Sequence, residues 1–150
     1  MSQRGFTIFE VLAVVVIAGI MVLIGFPRLR DVTIRSDVRS ARVAISSMVA
    51  SARSAATQTN RRTELRFDTD STAVIVAYPR LVAAGGSTRD TLGPVENLKG
   101  RYGTTIASTA TTIGFDPRGF GTNANAVTVT VSRQGFTSTL VVSPFGRIQQ

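Results

Sequence analysis

The sequence predicts an α+β protein in which one long N-terminal helix, apolar in its first half, is followed by an antiparallel sheet. Three observations carry this. Phe6 to Phe26 is an almost unbroken apolar run. From Ile34 to Ala55 the apolar residues recur at alternating spacings of four and three, as one face of a helix requires. Beyond Thr63 the period drops to two, the mark of half-buried strands. A helix with one apolar stripe and a sheet with one apolar face bury each other, which is the α+β layout.

The apolar run holds about 21 residues, and at ~1.5 Å rise each it spans roughly 30 Å, the thickness of a bilayer's hydrocarbon core. Its one ionisable residue is Glu10. A carboxylate there costs on the order of 2–3 kcal/mol unless a partner neutralises it. An ordinary secretory signal has its small-residue cleavage site after the apolar region; here the only such junction, Gly5-Phe6, precedes it. Pro27 closes the run and, by removing a backbone hydrogen bond, predicts a kink or local melting over residues 22–27.

The second half of the helix carries the stripe Ile34, Val38, Ala41, Ile45, Met48, Ala52 and Ala55. It fits either a coiled-coil seam or, with small residues at Ala41, Ala52 and Ala55, close packing on the chain's own sheet. Thr57 to Asn60 breaks the pattern and ends the helix. Thr63–Phe67 and Ala73–Tyr78 read as a hairpin around a turn at 68–72. Pro79 to Gly103 is the least regular stretch, with loops at Gly85-Gly86, Gly93-Pro94 and Gly100, tacked down by Leu81, Val82, Leu92, Val95 and Leu98. Short strands follow at Thr104–Ala107 and Thr112–Phe115, then a glycine-rich turn at 116–121. A final hairpin joins Ala126–Ser132 to Phe136–Val142 through Arg133-Gln-Gly135.

Composition narrows the chemistry. With 150 residues less the apolar run, there is room for one domain of about 100 to 120 residues. The absence of His removes the commonest general base and metal ligand, and the absence of Cys removes thiolate sites and disulfides. With one Lys besides, an activated nucleophile has no obvious base, so a non-enzymatic role without cofactor or metal is expected. Asp68 and Asp70 suit a turn better than a cation site, since no further carboxylate follows at calcium-loop spacing. Gly119-Phe-Gly121 is too short for a phosphate cradle. The net charge of +8 suits nucleic acid, acidic lipid or an acidic protein, though the arginines are scattered.

Gly5, Phe6, Glu10 and Pro27 together resemble the prepilin signal of type IV pilins and type II secretion pseudopilins. The resemblance implies that a prepilin peptidase cuts after Gly5 and methylates Phe6, leaving 1–5 as leader, 6–27 as transmembrane and assembly helix, and 28–150 as a soluble pilin-like domain. It pairs Glu10 with the Phe6 amine of a neighbouring subunit within the lipid and makes Pro27 the helix-bending residue. Ser-Ala-Arg42, Ser-Ala-Arg53, Ile113 to Gly119 and Gly146-Arg147 further resemble the GspH/FimT branch. This implies a minor pseudopilin of a type II secretion system, in the inner membrane with its domain periplasmic and other pilin subunits as partners. The alternative it leaves is a minor type IV pilin in pilus assembly or DNA uptake. Some members of that branch bind DNA through a Gly-Arg-x-Arg tail; here the tail is Gly146-Arg147-Ile148-Gln149, which lacks the second Arg. Arg118, Arg133 and Arg147 are the candidate phosphate contacts. The arginines after the apolar run (Arg28, Arg30, Arg35, Arg39) argue the opposite orientation under the positive-inside rule.

Overall fold

Thr7 starts the helix. Its hydroxyl and carbonyl both accept from the Glu10 N–H, at 3.3 and 3.1 Å, satisfying a donor that the first turn leaves orphaned. From there α1 runs Ile8–Thr59. The computed structural model describes residues 7–68, 70–78 and 90–149, with the side chains of 26 and 27 excepted. Gly5 and Phe6, and the expected loop features Gly85-Gly86, Leu81 and Val82, lie outside the described residues. The chain divides into two units, Met1–Arg35 and Ser36–Gln150.

In the N-terminal unit the helix has no apolar side chain tucked away over its first turns. Ile8 and Phe9 are 84% and 86% exposed, and Val14, Ile17, Met21 and Leu23 are exposed on every side. The helical assignment is uninterrupted across residues 22–27, so the melting expected at Pro27 is not found there. The residues before Pro27 supply the remaining hydrogen bonds of a helix that loses only one.

In the C-terminal unit, α1 buries Val38, Ala41, Ile45, Met48, Val49, Ala52 and Ala56. Ala55, expected in this stripe, is only half-buried. A strict repeat of 3.5 drifts by about 20° per heptad on a straight helix of 3.6 residues per turn, so the buried line moves one residue C-terminal by the helix end. This is the signature of packing on a sheet rather than a supercoiled seam. Asn60 (φ 51°) ends the helix in the left-handed region, and the Arg61 N–H closes back on the Ala56 carbonyl at 3.2 Å.

The strands are β1 (Thr63–Phe67), β2 (Thr72–Ala77), β3 (Asp90–Asn97), β4 (Thr105–Ser108), β5 (Thr112–Phe115), β6 (Val127–Arg133), β7 (Phe136–Val142) and β8 (Ile148–Gln149), with a short helix α2 (Leu98–Tyr102) after β3. They form two four-stranded antiparallel sheets, β3-β2-β1-β5 and β4-β6-β7-β8, where a single sheet was expected. The chain changes sheets at residues 109–111: the Thr109 N–H bonds Thr128 of the second sheet, and Thr111 accepts from Phe67 of the first. Alternation within a short strand says which face is apolar but not which neighbour it pairs with.

Residues 90–97, expected as loop, are a strand despite Gly93-Pro94. β3 lies at a sheet edge, where a missing proline N–H costs no ladder bond, and Gly93 takes φ 84°. Val95 faces solvent, whereas Leu98 is fully buried. The stretch around Gly100 is α2, capped by Asn97, whose side chain accepts from the Gly100 N–H at 2.7 Å, and closed by Gly103 at φ 63°. The last hairpin keeps its expected turn: Gln134 (φ 47°) and Gly135 (φ 87°) join paired Arg133 and Phe136 in a two-residue connection. The core joins α1 to both sheets through Leu65, Ile113 and Phe115 of the first and Val129, Val131 and Leu140 of the second.

Candidate assembly segment and basic surface

The first candidate site is the start of α1. Thr7-Ile-Phe-Glu10 has the spacing of a capping box, a signal legible in the sequence but not read there. Only the Thr7 half of the box forms: the hydroxyl holds the Glu10 N–H, while the Glu10 carboxylate has no hydrogen-bond or ion-pair partner among the described residues. The cap therefore fixes the backbone of Glu10 and leaves its acid outward, on a helix whose surroundings are apolar. In an apolar setting a carboxylate is costly unless a partner neutralises it. Residues from Ile8 onward form one helix long and apolar enough to cross a membrane, and none of its apolar span is buried by the chain itself. Leaving that much apolar surface in water is costly at about 25 cal/mol per Å², so the helix is compatible with a membrane anchor.

The arginines grouped by the sequence reading separate in space. Arg133 is part of the framework: its guanidinium pairs with Asp37 of α1 and donates to the Tyr102 carbonyl at 2.7 Å, and it lies over Gly103. It ties the closing hairpin to α1 and to the end of α2.

Arg118 and Arg147 instead sit exposed on two turns that touch. The first turn is built on Asp116, whose Oδ1 accepts from the N–H groups of Arg118 (2.9 Å) and Phe120 (2.8 Å). The second is closed by Ser143, whose N–H donates to the Arg147 carbonyl at 2.8 Å and whose hydroxyl accepts from the Arg147 N–H at 3.1 Å. Gly121 joins them: a Cβ there would lie 2.7 Å from the Gly146 nitrogen and closer still to the Pro144 carbonyl. Gly119 of the first turn lies against Thr57 and the Arg53 side chain of α1. Asp37 and Thr57 are about 30 Å apart along a helix rising ~1.5 Å per residue, so Arg133 stands well away from the two turns.

Each turn also carries an exposed phenylalanine, Phe120 at 54% and Phe145 at 71%. Neither phenylalanine was a candidate site residue in the sequence, and Arg53 stood there only as part of the Ser-Ala-Arg53 resemblance. At the Asp68–Thr72 turn, Asp68 and Asp70 are not joined by further ligands: no group of three or more His, Cys, Asp or Glu able to hold a metal occurs among the described residues. Tyr78 and Arg62 hold Glu64, at 2.7 and 3.1 Å, in a partly buried cluster that fastens β1 to the end of β2.

A long N-terminal helix with an exposed apolar start, followed by antiparallel sheets that cover its second half, defines a type IV pilin-like fold. Residues 1–26 match the prokaryotic N-terminal methylation motif, which supports a type IV pilin-like prepilin. Its fold is similar to that of the type IV minor pilin FimU of Pseudomonas aeruginosa, solved in two crystal forms. One matches with a TM-score of 0.59 and 20% identity over 77% of this chain and 88% of that one. The other matches with a TM-score of 0.56 and 20% identity over 75% and 90%. No curated protein matches the sequence.

Proposed function

We propose that this chain is a minor, non-enzymatic subunit of a type IV filament, inserted in the inner membrane by residues 6–27 with its C-terminal domain in the periplasm. A prepilin peptidase would remove residues 1–5 and methylate Phe6, and α1 would then pack among the helices of other pilin or pseudopilin subunits. The observation that carries this is Glu10: an outward carboxylate without a partner among the described residues, on a helix with an exposed apolar surface. The Phe6 amine of a neighbouring subunit supplies the missing cation. Glu10→Ala is expected to abolish incorporation into sheared filaments while the chain still accumulates in the membrane; normal incorporation would remove the pairing. Intact mass of the membrane-extracted protein should show loss of residues 1–5 and gain of one methyl group.

Two filaments fit. Likeness to a pilus minor pilin supports a role in pilus assembly. The GspH/FimT resemblance supports a minor pseudopilin of type II secretion. Deleting the gene and scoring surface pili and secreted proteins separately distinguishes them. DNA uptake now draws on Arg118 and Arg147 without Arg133, and phosphate affinity scales with the number of phosphates neutralised, so this reading is the weaker one.

A further inference from the structure

Two short sequences on the touching turns mirror each other: Arg118-Gly119-Phe120 and Phe145-Gly146-Arg147. Both central glycines take positive φ, 83° and 79°, and both are buried, so each turn throws its Arg and Phe outward from a fixed backbone. Gly146 packs on the Phe115 ring and Gly119 on Thr57 and Arg53, which anchors both turns to the core. The result is an exposed surface of two aromatic rings and three guanidinium groups, Arg53, Arg118 and Arg147, on turns packed against the core.

The guanidinium groups here are in no ion pair among the described residues. Arg61, Arg62, Arg101 and Arg133 are each in an ion pair, with Asp90, Glu64, Glu96 and Asp37. Arg53, Arg118 and Arg147 have no such partner among the described residues. Asp116, the carboxylate nearest Arg118 in sequence, directs its Oδ1 to two backbone N–H groups and makes no ion pair among the described residues. Rigid aromatic residues beside Arg are the composition of protein-interface anchors.

We propose that this double turn docks an acidic protein segment from a subunit of a different kind. Carboxylates of that segment pair with the guanidinium groups, and an apolar side chain covers Phe120 and Phe145. A second copy of this chain is a poor occupant: its net charge is +8, and four of its nine carboxylates are already in ion pairs. A nucleic acid strand is a poor one as well, since three cations release few counterions. β8, the edge strand of its sheet among the described residues, begins at the residue after Arg147, and strand addition at such an edge is a mode of polypeptide recognition. The inference holds whether the filament is a pilus or a pseudopilus, and it does not depend on Glu10.

The test is a photoreactive phenylalanine analogue in place of Phe145 in the full chain, activated in living cells, with the adduct identified by mass spectrometry. The expected adduct is with a different protein, through a peptide rich in Asp and Glu. Its yield should fall on the order of tenfold in R118E/R147E and recover when the contacted acids are changed to Lys. Unchanged membrane levels of R118E/R147E show that folding and insertion are intact. An adduct with a second copy, a nuclease-sensitive adduct, a yield indifferent to the two arginines, or no adduct would each overturn the proposal.

Discussion

Gly121 has no room for a methyl group. Backbone atoms of Pro144 and Gly146 occupy the space, and backbone cannot swing aside as a side chain can. Gly121→Ala is expected to destabilise the C-terminal unit by about 1–3 kcal/mol, as overpacking of a rigid site does. Gly135 is the contrasting case: it has positive φ (87°), which Gly121 does not, but nothing lies near its missing Cβ. Gly135→Ala should cost only the left-handed backbone term of roughly 1 kcal/mol. Urea denaturation of the two variants in detergent checks the difference. Thr63 offers a second residue-scale case, since its buried hydroxyl donates to the Ala52 carbonyl at 2.7 Å and joins α1 to β1. Thr63→Val should lose about 1 kcal/mol by the same measurement. Neither role was legible in the sequence. A glycine in a Gly-rich turn looks like its neighbours until the segment it touches, here some 25 residues later in the chain by rough count, is known.

At the scale of elements, the phase of the α1 stripe is the informative quantity. Alternating spacings of four and three suggested Ala55 as its last member, whereas the structure buries Ala56 and leaves Ala55 half-covered. Ala56→Leu is therefore expected to cost about 1–3 kcal/mol through overpacking, and Ala55→Leu well under half of that. Equal melting shifts for the two would contradict the packing described. The elements most legible in advance were β1, β6 and β7, where strict alternation and a two-residue Gln-Gly turn fix both register and face. β3 and α2 were missed for a local reason. Gly93-Pro94 and Gly100 are loop signals in most settings, and only a sheet-edge position and an Asn97 cap make them compatible with regular structure. The partition of strands between two sheets was also invisible, because β4 and β5 are neighbours in sequence yet pair with β6 and β1.

For the whole molecule, the division at Arg35 has a physical basis. The core cluster draws all of its residues from Val38 onward, and the apolar helix before it contributes none. Residues 36–150 expressed alone are expected to remain in solution and to unfold in one cooperative transition, whereas the full chain should require detergent. Circular dichroism on heating checks this, and a gradual, non-cooperative melt would show that the N-terminal unit is needed for the fold. The sequence by itself determined the apolar N-terminal helix, its single ionisable residue Glu10 and the order of helix and strands, because hydropathy and periodicity are local properties. It could not decide which arginines act together. Arg118, Arg133 and Arg147 looked equivalent as scattered charges, and tertiary structure made Arg133 a framework ion pair with Asp37 and set the other two on adjoining turns. Charge is written in the chain, but its partners are set by contacts between residues far apart along it.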